Sequence, residues 1–60
     1  MEKELLSIRE ASSLLGVAET TLRDWLYKKR LPFYRLGRAI RLKKEDILDF
    51  REKARVENNG

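Results

Sequence analysis

The sequence predicts a mainly α domain with a small β-hairpin, in the order helix, helix, hairpin, helix. Three observations carry that prediction. A Ser-x-x-Glu sequence at residues 7–10 opens an apolar stripe that stops at Gly16. A second stripe begins almost at once and ends before Pro32, and an alternating run over residues 33–42 turns about Gly37.

In the first helix the Ser7 side chain is placed to accept the Glu10 backbone N–H while Glu10 reaches back to Ser7. Leu6 and Ala11 hold the positions of a hydrophobic staple, and Ile8, Ala11 and Leu15, with Leu14 beside them, form the buried stripe. Gly16 ends the helix because it enters the left-handed region without a Cβ clash. Val17-Ala18 is the whole connection to the second helix. From Glu19 its apolar positions are Leu22, Trp25 and Leu26; Thr20, Arg23, Asp24, Tyr27 and Lys28 lie opposite. Lys28, Lys29 and Arg30 suit the negative end of the helix dipole, and Pro32 forces the chain out of it. Two short helices joined by a Gly-containing turn match a helix-turn-helix.

The hairpin register is argued from side chains. A two-residue loop pairs Arg35 with Ile40 and mixes charge with aliphatic on one face. A three-residue loop, Gly37-Arg38-Ala39, pairs Leu36 with Ile40, Tyr34 with Leu42 and Arg35 with Arg41, so it is the expected register. It sets two arginines abreast, which is unfavourable unless the outer face meets anionic charge. The last helix is expected over residues 44–55, with Glu45 and Asp46 in its first turn and Ile47, Phe50 and Ala54 as its stripe, Leu48 adjacent. Asp49 and Lys53 form an i, i+4 pair. One domain spans residues 1–60, compact over about 5–55, with a frayed tail from Val56.

Composition excludes several functions. Sixty residues without Cys or His exclude thiolate and imidazole metal ligation, nucleophiles of those types, and a disulfide scaffold. So short a chain buries roughly 60% of its unfolded surface and, at 40% charged residues, seldom encloses a catalytic pocket. No enzyme activity, cofactor or metal is expected. No apolar run approaches the ~18 residues of a membrane span, and Met1-Glu2-Lys3-Glu4 does not open a signal peptide. A cytoplasmic, nucleoid-associated binding module is the expectation.

The net charge of +4 is unevenly placed. Residues 1–22 carry −2 and residues 45–60 carry −2. Residues 23–44 hold nine Lys and Arg against Asp24 alone, a net of +8. A basic block on one helix end and one hairpin is a footprint for a polyanion, nucleic acid above all.

These stretches resemble the excisionase-type branch of the MerR-like winged helix-turn-helix proteins. The matching segments are Leu6-Ser7-Ile8-Arg9-Glu10-Ala11 through Leu14-Leu15-Gly16-Val17, then Thr21-Leu22-Arg23-Asp24-Trp25, then Leu31-Pro32-Phe33-Tyr34-Arg35-Leu36-Gly37-Arg38, then Ile40-Arg41-Leu42-Lys43-Lys44-Glu45-Asp46-Ile47. Together they cover most of the chain. The resemblance implies a winged helix-turn-helix whose second helix enters the major groove while the hairpin wing follows the backbone or minor groove. The family usually has Ser or Thr where this chain has Ala18, and favours Gly where Lys29 stands; both departures fall at the ends of the recognition helix.

On that docking, Thr20, Thr21, Arg23 and Asp24 stand at the front of the second helix, where base edges are met. Thr21 can equally pack near the turn. Arg23 is expected to clamp a phosphate or a guanine, with a surface ion pair to Asp24 or Glu19 as the alternative; Asp24 can accept from a cytosine amine or orient Arg23, and the second is expected. Trp25 is read as core rather than as a stacking platform, and Tyr34 as packed under the hairpin. Tyr27 and Lys28 are expected at phosphates, and Arg35, Arg38 and Arg41 form the wing set, Arg38 suiting a narrow minor groove. Lys43 and Lys44 can go either way.

The function expected is double-stranded DNA binding as an excisionase-like architectural factor in site-specific recombination. An integrase or recombinase partner and cooperative self-association on DNA accompany it. That choice rests on the resemblance and on how little chain follows Arg55. A small MerR-like transcription regulator is the alternative, and a protein-interaction module that binds an integrase or other partner is the alternative of another class.

Overall fold

The computed structural model describes residues 5–56. Over them the chain runs β1 (Leu5–Leu6), α1 (Ile8–Leu15), α2 (Glu19–Tyr27), β2 (Tyr34–Leu36), β3 (Ala39–Lys43) and α3 (Lys44–Lys53). The helix–helix–hairpin–helix order is present, preceded by a short strand that the sequence reading lacked. The tail expected to fray from Val56 lies, beyond that exposed residue, outside the described residues.

Helix α1 is defined locally at both ends. Ser7 Oγ accepts the Glu10 N–H at 3.1 Å and Glu10 Oε1 accepts the Ser7 N–H at 3.0 Å, closing the capping box. At the other end Gly16 turns to φ +72°. Its N–H reaches the Ser13 carbonyl at 3.2 Å and the Val17 N–H reaches Ser12 at 3.0 Å, the two bonds of a Schellman motif.

Helix α2 starts differently. Ala18 is extended and offers no side-chain bond to the first turn. Its end repeats the α1 motif with another residue: the Lys29 N–H meets Leu26 at 3.0 Å and the Arg30 N–H meets Trp25 at 2.9 Å. Lys29, at φ +57°, takes the left-handed place that Gly16 takes in α1. It is the one non-glycine residue with positive φ among the described residues.

The core sits where the helices meet β3. Ile8, Ala11, Leu22, Leu26, Leu31, Leu42 and Ile47 are buried, ringed by half-buried Leu6, Leu14, Leu15, Val17, Trp25, Phe33, Ile40 and Phe50. Trp25 packs on Phe50 with ring centroids 5.3 Å apart, so it belongs to the core rim as expected. The α3 stripe runs through Ile47 and Phe50 but not to Ala54, which is exposed just past the last turn.

The sheet order is β1-β3-β2. Leu5 pairs with Lys43 and Leu6 with Leu42, so Leu6 supports the core as a strand residue. The wing corrects the expected register. Tyr34 pairs with Arg41, Arg35 with Ile40 and Leu36 with Ala39, which leaves Gly37-Arg38 as a two-residue loop. Gly37 lies at φ +64° and Arg38 is not in the positive region, the sequence pattern of a Gly-X type II′ turn. The physical reason is that β2 is exposed along its whole length. With no buried face on β2, the apolar pattern cannot choose its register, and turn chemistry does. Arg35 and Arg41 are therefore not abreast. Tyr34 is not tucked under the hairpin either: it shares the outer face with Arg41 and is 44% exposed.

Candidate nucleic-acid interface

Cross-strand partners share a face, and Leu42 is fully buried on the face that also carries Ile40. Arg35, opposite Ile40, therefore stands on the helix side of the wing and looks across at α2. A groove of ≈ 390 Å³ runs between them. Ile8, Leu26, Phe33 and Ile40 form its apolar floor, and Arg23, Tyr27, Lys29 and Arg35 its walls. Residues from two separate sequence stretches, helix end and wing, thus share one surface.

Beside it lies a second concavity of ≈ 320 Å³ in which Arg23 recurs, now with Arg9, Arg38, Arg41 and the acidic Glu19 among its lining residues. Arg23 joins the two hollows. It makes no ion pair among the described residues, so neither Glu19 nor Asp24 holds it. Asp24 instead pairs with Lys28 at 3.1 Å, one turn along the exposed face, which corrects its expected role of orienting Arg23.

The sequence-predicted residues fall into two groups. Arg23, Tyr27, Arg35, Arg38 and Arg41 are brought together around the hollows. Thr20, Thr21, Asp24 and Lys28 line neither; Thr20, Asp24 and Lys28 are exposed on α2 and Thr21 is half-buried. Tyr27 is 86% exposed, a large aromatic side chain held out toward solvent at the groove wall. Arg41 is half-buried, and its Nη1 donates to the Ile40 carbonyl at 2.9 Å. That bond fixes its stem against the wing. Lys43 pairs with Glu45 at 3.3 Å, and the carboxylate, hydrogen-bonding the ammonium, raises its pKa from the usual lysine value.

Two cations of this surface were missing from the predicted set. Lys29, which the sequence marks as a cation at the end of the second helix, is left-handed and lines the groove. Arg9 belongs to an acidic sequence segment and reaches the surface only through the packing of α1. Among the described residues no cluster of acidic side chains could hold a metal ion, and no helix is long and apolar enough to cross a membrane.

Residues 5–55 match the family described as the helix-turn-helix domain. Over 51 residues the chain is 49% identical to the transcriptional repressor DcmR of Methylorubrum extorquens, covering 82% of this chain and 19% of that protein. Over 55 residues it is 34% identical to the uncharacterized protein YvgK of Bacillus subtilis, covering 92% of this chain and 18% of that one. The chain thus spans less than a fifth of the length of either relative.

Proposed function

Because the chain belongs to the helix-turn-helix domain family, we propose that it binds double-stranded DNA through the surface that α2 shares with the wing. In this mode the second helix lies in the major groove with its first turns at base edges. Thr20, Thr21, Arg23 and Asp24 take those positions, and Tyr27 and Lys28 reach the flanking phosphates. Arg35, Arg38 and Arg41 follow the backbone, with Arg38 at the loop tip entering the minor groove. One observation carries the reading: Arg23, Tyr27, Lys29 and Arg35, from a helix and a hairpin, converge on a single groove.

Within that reading, regulatory use is favoured. Its support is the 49% identity to a protein named as a transcriptional repressor. The excisionase-like role, with an integrase partner and cooperative binding, keeps the support of the segment-by-segment resemblance. Chain length does not separate the two, since both relatives extend far beyond the matched region. Cooperative binding and bending on a duplex with adjacent sites would favour the architectural role, and independent single-site binding the regulatory one.

Titration of a duplex at several salt concentrations tests the parent reading. Contact between about five cations and phosphates gives a log–log slope of about −4 to −5. A slope near zero would overturn it.

A further inference from the structure

Arg9 sits in the first turn of α1, where the helix dipole disfavours a cation. Its neighbours do not compensate. The hollow it borders is also lined by Arg23, by Arg38, by Arg41, whose Nη1 already donates to the Ile40 carbonyl, and by one acidic residue, Glu19. None of the four arginines forms an ion pair among the described residues. Four guanidinium side chains thus border one hollow with one acidic side chain among them. Three elements far apart in sequence (α1, α2 and the wing) contribute to this one excess of positive charge. A hollow bordered mostly by arginines suits an anion, and guanidinium forks match phosphate oxygens in geometry.

We infer that this hollow is a cradle for a single DNA backbone phosphate, and that Arg9 is a DNA-contacting residue supplied by the scaffold helix. The inference rests on the DNA-binding reading above and adds a specific consequence to it. The phosphate is gripped by α1, α2 and the wing together, so it sets how deep the second helix sits relative to the hairpin. Such a contact positions the protein and carries no base information.

The test compares duplex binding by the wild-type protein, Arg9→Gln and Arg9→Lys across a salt series, on a preferred and a random duplex. Arg9→Gln should lower the magnitude of the slope by about 0.9 and weaken binding roughly fivefold at 0.15 M salt, equally for both duplexes. Arg9→Lys, which keeps the charge, should keep the slope. The Arg9→Gln protein should melt no lower than wild type, because a cation leaves the first helical turn; binding loss is then not unfolding. Inorganic phosphate at matched ionic strength should not displace the duplex; displacement at millimolar phosphate would assign the cradle to a free anion instead. A wild-type slope of −4 to −5 with an unchanged Arg9→Gln slope overturns this inference alone. A wild-type slope near zero removes it together with the parent reading.

Discussion

Helices α1 and α2 end in the same backbone motif and are stabilised in different ways. Each closes with a pair of 5→2 and 6→1 bonds around one left-handed residue. In α1 that residue is Gly16; in α2 it is Lys29. The starts differ in the same sense, since Ser7 and Glu10 cap α1 while Ala18 leaves the first turn of α2 without a side-chain bond. The scaffold helix is therefore specified by its own residues. The helix on the proposed DNA face is held in shape by what it packs against, and the place where Gly would be easiest carries a cation that lines the groove.

If packing holds α2, truncating its core contact should be the most damaging change in the molecule. Leu22 is fully buried beneath α2. Leu22→Ala should cost about 3 kcal/mol, enough in so small a domain to abolish cooperative thermal unfolding above room temperature. Circular dichroism melts check this. A melting midpoint within a few degrees of wild type would mean that α2 has local support after all.

The two left-handed positions give a reciprocal experiment of smaller size. A Cβ added at Gly16 meets no atom within 4 Å, so Gly16→Ala isolates the backbone cost. It should destabilise by about 1–2 kcal/mol. Lys29→Gly should stabilise by about 1 kcal/mol, with the opposite sign in the same assay. It should also remove a groove cation and weaken duplex binding. A gain in stability with a loss in affinity would identify Lys29 as a residue kept for its charge at the expense of its conformation.

What could be read from the sequence follows the same division. The capping box, Gly16 and the stripes of α1 and α2 are all local signals, and the structure carries each of them. The wing register is not local in that way. Burial fixes the face of β3 through Leu42, but β2 has no buried face, so polarity could not align it and the Gly37-Arg38 turn did. Strand β1 has two residues and exists only through its pairing with β3, which leaves no periodicity to read. In the site, the charge density of residues 23–44 pointed to Arg23, Arg35, Arg38 and Arg41. Arg9 was hidden because its segment is acidic and only the three-dimensional packing of α1 brings it to them.

The cap exchange is the finest comparison between the two helices. Ser7→Ala breaks a bond at 3.1 Å and strands the Glu10 N–H, at a cost of about 1 kcal/mol. Ala18→Ser offers α2 the cap it lacks. Its backbone is already extended, at φ −70° and ψ 151°, close to the φ −74° and ψ 168° of Ser7, so no rearrangement is needed for the hydroxyl to reach the first turn. A gain of roughly 0.5–1 kcal/mol should follow, seen as a melting midpoint a few degrees higher. The gain should be largest in the free protein and smaller on DNA if phosphate contacts already order that turn. An Ala18→Ser gain identical with and without a bound duplex would show that the start of α2 is as well ordered alone as in the complex, and that only its C-terminal end differs in kind from α1.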